Sequence, residues 1–389
     1  MSEMVARKRM LPYGRQVVEN RDIDAVVDVL KSDWLTTGPK IAEFEREFAA
    51  KVGAAHAVVV SSGSAALHCA AFAAGIGPGD EVIVPAMTFA ASANCVRYQG
   101  GTVLFCDVRP DTLAIDAVQA ERLITKKTKA IVTVDYTGLP SDLGSLTELT
   151  AQHHLSLIDD AAHALGATYE GRPVGSIADL TTFSFHPVKQ ITTGEGGAIA
   201  TNDARLTEAM RRFRTHGITS DARQREEAGS WYYEMVDLGF NYRITDFQCA
   251  LGMSQLARLD RSIGRRREIA ARYSAAFSSL EEITTPPTFP DRESAWHLYV
   301  ILLNPKRLRA SRAEIFSALR DQKIGVNVHY IPVPWHPYYQ KLGYRRGSWP
   351  VAEAAYERML TLPLWPGMAD EDVEDVIAAV QNVIARFRR

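Results

Sequence analysis

The 389-residue chain is short of the features that mark a special environment. Its four cysteines, Cys69, Cys95, Cys106 and Cys249, form no CxxC pair. That argues against a zinc knuckle or a disulfide framework and fits a reducing compartment. No apolar run approaches the ~20 residues of a membrane helix, and the segment MSEMVARKRMLPYG lacks the apolar core of a secretory signal. A soluble cytoplasmic protein without a membrane partner is therefore expected. Charge of one sign is lacking too: 44 Lys and Arg stand against 46 Asp and Glu, a net charge of -2. Nothing in that balance attracts nucleic acid. The basic run from Arg258 to Arg267 has the spacing of a solvated helix face. No repeat, low-complexity segment or metal-ligand spacing is seen, and no metal is expected.

What is present is apolar material in quantity, 46% of residues, in a chain longer than one core usually fills. Ile41, Phe44, Phe48 and Val52 recur at helical spacing and predict a helix over 40–52. HAVVVSSGSAALHCAAFAAGIGPGDEVIVPAMTF predicts a strand, a turn of small residues, a helix through Ala74, a Gly/Pro break and a second strand. Strands follow at GTVLFCDV, KAIVTVDY, LSLIDDA, ADLTTFSF and AIAT, with helices such as DAVQAERLI and SLTELTAQH between several of them. This alternation predicts a mostly parallel sheet covered by helices, an α/β large domain. A long helical stretch is expected from Thr245 to Leu280, then a proline-rich break at TTPPTFP. Beyond it, WHLYVILL and VNVHYIPV read as strands, SRAEIFSALRDQ and VEDVIAAVQNVIARF as helices. We expect an N-terminal segment 1–30 packing with the small domain, a large domain 31–260 and a small α+β domain 261–389.

Three stretches lie at predicted strand ends, where ligands bind in such sheets. In SSGSAALH, a turn of small residues opens a helix, and unpaired amides near Ser64 and Ala65 would seat a phosphate; an ordinary serine N-cap is the plainer alternative. In LSLIDDAAHALG, Asp159 and Asp160 point to opposite faces, so one carboxylate should enter the crevice; both could instead sit solvated in a loop. In SFHPVKQITTGEGG, Lys189 could bind phosphate as a point charge or, if burial lowers its pKa, form an imine. Together, a phosphate seat, a carboxylate and a lysine are what pyridoxal 5'-phosphate (PLP) requires. Phe89, after VIVPAMT, offers an aromatic face for the ring, or is a plain core residue.

The chain resembles the DegT/DnrJ/EryC1/StrS family of nucleotide-sugar aminotransferases, with the aspartate-aminotransferase fold (PLP-dependent transferase fold type I). The resemblance runs nearly the whole length, through LTTGPKIAEFEREFAAKVG, SSGSAALH, VIVPAMTFAASAN, DDAAHALGA, FSFHPVKQITTGEGGAIATND, GFNYRITDFQCALGMSQL and VNVHYIPVPWHPYY. It implies Lys189 as the Schiff-base lysine, Asp160 on the pyridine nitrogen and His163 near the phenolic oxygen. Ser64, Ala65 and Ser184 match phosphate ligands, and Asn241 of GFNYR matches one donated by the neighbouring subunit of a homodimer. Lysine at 189, where related dehydratases carry histidine, implies amino transfer. The amino donor implied is L-glutamate and the acceptor a nucleotide-linked keto sugar. The opening YGRQVVENRDIDAVVDVLKSDWLTTGPK and the lysine block are most similar to pseudaminic-acid pathway enzymes, which aminate C4 of a UDP-linked 2-acetamido-2,6-dideoxy-4-keto-L-hexose. Relatives acting on GDP-, dTDP- or other UDP-sugars share most blocks, and position 190 is Gln where Pro is expected. Thr36, Thr37, His329 and Tyr330 are candidate sugar contacts, or residues of turns and packed loops. A lyase, desulfurase or aldolase on the same fold, or a non-catalytic sensor, are the competing readings.

Overall fold

The computed structural model describes residues 7–220, 225–226 and 228–389, so the first six residues of the expected N-terminal segment lie outside the described residues. In chain order come α1 (Asn20–Leu30), α2 (Pro39–Val52), β1 (His56–Val60), α3 (Gly63–Ala73), β2 (Glu81–Pro85), α4 (Ala90–Tyr98) and β3 (Thr102–Cys106). There follow α5 (Ala117–Leu123), β4 (Thr128–Val134), α6 (Leu143–His153), β5 (Ser156–Asp160), β6 (Leu180–Ser184), β7 (Gly197–Thr201) and α7 (Ala204–Arg214). The seven strands form one sheet in the order β1-β7-β6-β5-β4-β2-β3. Only β7 pairs antiparallel with its neighbours, so the α/β expectation holds. Strands such as HAVVV and TKAIVTV are apolar on both faces because helices cover both sides.

Under one face, Phe44 and Phe48 of α2 meet Phe183 and Phe185, with ring centroids 5.1–5.5 Å apart. The period of two along β6 sends both phenylalanines of FSF inward and turns Ser184 between them the other way. This apolar anchor holds the start of the lysine loop.

The expected helix from Thr245 to Leu280 is two helices, α8 (Asp246–Leu256) and α9 (Leu259–Phe277). They part where Arg258 leaves helical geometry and its guanidinium turns inward to Asp22 of α1, 2.5 Å away. Arg258 and Arg266 are both buried, which corrects the solvated-face reading of this basic run. Each is drawn in by acceptors distant in sequence.

The second core is built on the sheet β8 (Ile283–Thr284), β9 (Tyr299–Leu303) and β10 (Met359–Leu362), in the order β8-β9-β10. Helices α10 (Arg312–Asp321) and α13 (Asp370–Phe387) complete it, with α11 (Pro337–Lys341) and α12 (Pro350–Arg358) before β10. VNVHYIPV is not a strand, contrary to its β-branched composition: Asn327 makes a single bridge to Thr361, and Ile324, two residues before the stretch, makes another to Leu11. The third strand is instead MLTL, hidden directly behind α12 with no breaker between them. At the N-terminal side, Leu11 joins this second core, whereas α1 lies on α8 of the first.

Candidate active site

Because β1, β2, β4, β5 and β6 run the same way, their C-terminal ends open on one edge, where a cavity of about 390 Å³ lies. At the end of β1, Ser62 caps α3 and its Oγ accepts the Ala65 N–H at 3.1 Å. The Ala65 amide is thus engaged in the cap, and Ala65 itself does not line the cavity. The first-turn amides of Gly63 and Ser64 have no intrahelical carbonyl to bond, and both residues line the cavity. Ser184, from the end of β6, stands beside them. A Cβ on Gly63 would fall 2.8 Å from that of Ser184, so glycine is what lets the hydroxyl approach the turn. A helix N-terminus with a serine beside it is a seat for a phosphate.

Asp160, the last residue of β5, enters the cavity as expected. Its Oδ2 accepts from Ser92 Oγ at 2.6 Å and its Oδ1 from the Ala162 N–H at 3.2 Å, which fixes the carboxylate plane. Burial raises its pKa, opposed by those two donors and by the Lys189 charge. Asp159 points to the other face, among Thr133 and Thr181 of the neighbouring strands. Its oxygens have no hydrogen-bond partner among the described residues, and burial with Asp135 and Asp160 nearby drives it toward the neutral acid. Strand alternation thus gives two adjacent aspartates different surroundings, one with hydrogen-bond donors at the cavity and one without.

Lys189 sits in a loop tied down by its own threonines. Thr192 Oγ1 donates to Phe185 O at 3.1 Å, the Thr193 N–H donates to the same carbonyl at 3.1 Å, and Thr193 Oγ1 donates to Glu195 O at 2.7 Å. A Cβ on Gly197 would lie 2.6 Å from Ser62 O, so the glycine after the loop is required by the close approach of β7 to the α3 turn. Gln190 is buried and its amide donates to His163 O, joining the lysine loop to the loop after β5. Burial lowers the Lys189 pKa to about 8; Asp160 opposes the shift and Arg266 reinforces it. The amine is therefore partly unprotonated near neutral pH, the state a nucleophile needs.

His163 Nε2 bonds to Tyr330 Oη at 3.1 Å, while Nδ1 is buried with no hydrogen-bond partner among the described residues. Burial, and then the Lys189 and His329 charges, push its pKa well down, so the ring is neutral. Phe89 is 58% exposed and packs against Tyr330 at 5.7 Å, on the cavity wall rather than in the core. His329 also lines the cavity, but Nδ1 meets Thr361 Oγ1 at 2.8 Å and Nε2 meets Asn327 at 3.3 Å, so both nitrogens are engaged.

The structure brings together Ser64, Phe89, Asp160, His163, Ser184, Lys189, His329 and Tyr330. Thr36, Thr37 and Asn241 do not line this cavity in the same chain. Thr36 bridges Thr245, Thr37 takes a left-handed φ of 55°, and the exposed Asn241 bridges Thr215. Sequence reasoning missed Ser92 and His297. Ser92 lay within the quoted FAASAN block, three residues after Phe89, but only folding sets it against Asp160. His297 packs on His163 with the rings tilted by 37° and centroids 4.3 Å apart, and nothing near it in sequence signals that. A separate cavity of about 180 Å³ behind Tyr136 and Trp296 has no lysine or histidine in its lining. No group of three or more His, Cys, Asp or Glu suited to a metal ion occurs among the described residues, nor a helix long and apolar enough to cross a membrane.

These residues fit PLP. The α3 turn and Ser184 suit its phosphate, Asp160 its ring nitrogen, Lys189 its aldehyde, and the unpartnered Nδ1 of His163 is a polar atom awaiting a ligand group. Comparison with known proteins agrees. Residues 16–381 match the model of the DegT/DnrJ/EryC1/StrS aminotransferase family. The spore coat polysaccharide biosynthesis protein SpsC of Bacillus subtilis (strain 168) is 44% identical over 381 residues, 97% of this chain and 98% of SpsC. The PMP form of Spr1654 from Streptococcus pneumoniae, described as a sugar aminotransferase and also solved in a PLP form, superposes with a TM-score of 0.91 at 34% identity, covering 96% of this chain and 99% of its own. Helicobacter pylori PseC, an aminotransferase involved in the biosynthesis of pseudoaminic acid, gives 0.91 at 32% identity, covering 97% and 100%. The chain belongs to the DegT/DnrJ/EryC1/StrS aminotransferase family and is a PLP-dependent sugar aminotransferase.

Proposed function

We propose that the enzyme transfers an amino group from L-glutamate to C4 of UDP-2-acetamido-2,6-dideoxy-4-keto-L-hexose, a step of pseudaminic acid biosynthesis. The observation that carries this reading is the near-complete superposition on PseC, together with an amine of lowered pKa facing a positioned carboxylate. When bound, PLP supplies the electron sink that lets a proton leave the donor Cα. Lys189 takes and returns that proton, a task suited to a pKa of about 8. Asp160, held by Ser92 and the Ala162 amide, keeps the ring nitrogen protonated. Gly63, Ser64 and Ser184 would hold the phosphate. Neutral His163, steadied by Tyr330, would meet the phenolic oxygen, and Phe89, packed on Tyr330, would offer its face to the ring.

The protein works as a cytoplasmic homodimer in this reading. Asn241 of one subunit reaches the phosphate of the other, which is why it can lie outside its own cavity, and Thr36 and Thr37 border the sugar. Tyr330 meets the sugar through its hydroxyl, His329 only through its ring face, since its nitrogens are engaged.

The test is incubation with L-glutamate and a panel of UDP-, GDP- and dTDP-linked 3-keto and 4-keto sugars, with the product identified by mass and NMR. The expected product is UDP-4-amino-4,6-dideoxy-N-acetyl-β-L-altrosamine. Faster turnover of a GDP- or dTDP-linked ketone would replace this substrate while leaving the chemistry in place.

A further inference from the structure

Arg266 is 1% exposed, in the middle of α9, and no ion pair to it is found among the described residues. Its sequence neighbours behave otherwise: Arg265 pairs with Asp370 and Arg267 with Glu293. Arg266 instead donates from Nη1 to the carbonyls of Trp296, His297 and Leu364, at 3.2, 3.3 and 3.1 Å, and its Nε has no partner. A buried charge held only by dipoles is costly, and guanidinium remains a cation at neutral pH even when burial lowers its pKa to about 10. The carbonyls it holds belong to the strap 294–298. There Trp296 takes a left-handed φ of 49°, and the Ala295 and Leu298 amides bond to Gly138 and Thr137. The next residue, His297, enters the cavity and packs its ring against His163.

We propose that Arg266 is a positioning residue for the reacting amine: its guanidinium pins this strap through backbone carbonyls alone, and its uncompensated positive charge is thereby held within electrostatic reach of Lys189. The charged and titratable groups around that amine come from several elements. Asp160 faces it from β5, His163 from the loop after β5, His297 from the strap, and His329 and Tyr330 from the 327–330 segment. Tyr13 and Glu195 line the same cavity, and His186 lies at the start of the lysine loop. Of these, Asp160 stabilises the protonated amine, while Arg266 opposes it from behind the histidine pair. Removing the Arg266 charge makes protonation easier, so the amine holds its proton to higher pH.

The inference rests on Lys189 being the reacting amine, but the measurement follows that amine directly and does not require turnover. Full-length protein freed of cofactor is pulse-labelled with acetic anhydride across pH 6–11, and acetylation of the Lys189 peptide is read by mass spectrometry. The native midpoint is expected near 8. Arg266→Gln, which keeps amide donors for the carbonyls, is expected to move it upward, by less than the full depression of the amine because burial remains. Arg266→Lys is expected to keep the native midpoint. Circular dichroism checks that each variant is folded. A folded Arg266→Gln with the native midpoint, or Arg266→Lys shifted as far as Arg266→Gln, overturns the proposal. Failure of both variants to fold also overturns the proposal and assigns Arg266 to the framework of the fold alone.

Discussion

Two segments without regular structure make a useful contrast: the lysine loop, 185–196, and the segment 229–241. In the first, Gln190, Ile191, Thr192 and Thr193 are buried and the threonine hydroxyls bond to carbonyls of the loop itself. In the second, Trp231 is 84% exposed, Leu238 80% and Met235 66%. The loop's shape is decided by its own chain, whereas the segment presents an apolar surface that one copy leaves uncovered. That difference matches the two demands the proposed homodimer would make. Its own subunit would hold the Lys189 amine rigidly, and a surface would be kept for the other subunit.

The largest expected effect tests the first half of the contrast. Lys189→Ala should lower amino transfer by a factor on the order of 10⁴, with the visible band of the bound cofactor lost and the far-ultraviolet circular dichroism unchanged. Near-native turnover would remove the lysine from the chemistry. A smaller effect probes the loop's framework. Gly197→Ala places a Cβ 2.6 Å from Ser62 O and 2.7 Å from Phe183 O, and backbone cannot yield as a side chain does. Urea denaturation should show a loss of about 1–3 kcal/mol; no loss would mean that the approach of β7 to the α3 turn is not tight. The smallest effect on the single chain is expected in the exposed segment. Leu238→Ser should change intrinsic stability by less than about 0.5 kcal/mol but weaken self-association about tenfold. Sedimentation equilibrium reads the second quantity, and an unchanged association constant would take this segment out of the interface.

Much of the fold was legible. The seven large-sheet strands lie where β-branched runs alternate with helix-patterned segments, because a doubly covered parallel sheet needs apolar residues on both strand faces. The exceptions are instructive. VNVHYIPV has strand composition, but Asn327 and His329 bond to each other and to Thr361, so local propensity lost to contacts from β10. MLTL was hidden because no glycine or proline separates it from α12. The reading of Arg258 to Arg267 as a solvated face failed at Arg258 and Arg266, whose acceptors lie far along the chain. The cavity lining was legible where a residue's placement follows from a strand end, as for Asp160 and Lys189. Ser92, Gln190 and His297 were not, since their importance lies in what they touch.

The sequence by itself determined the order of chemical groups: a small-residue turn, a carboxylate and a lysine, each directly after an apolar strand. Strand periodicity also settled that Asp160 and Asp159 face opposite ways. Only the tertiary structure decided the state of those groups. Lowering the Lys189 amine to about 8, keeping His163 neutral and orienting the Asp160 carboxylate all depend on burial and on partners remote in the chain. Desolvation and Coulomb forces act through space, and local sequence carries no record of which distant residues will exclude the water.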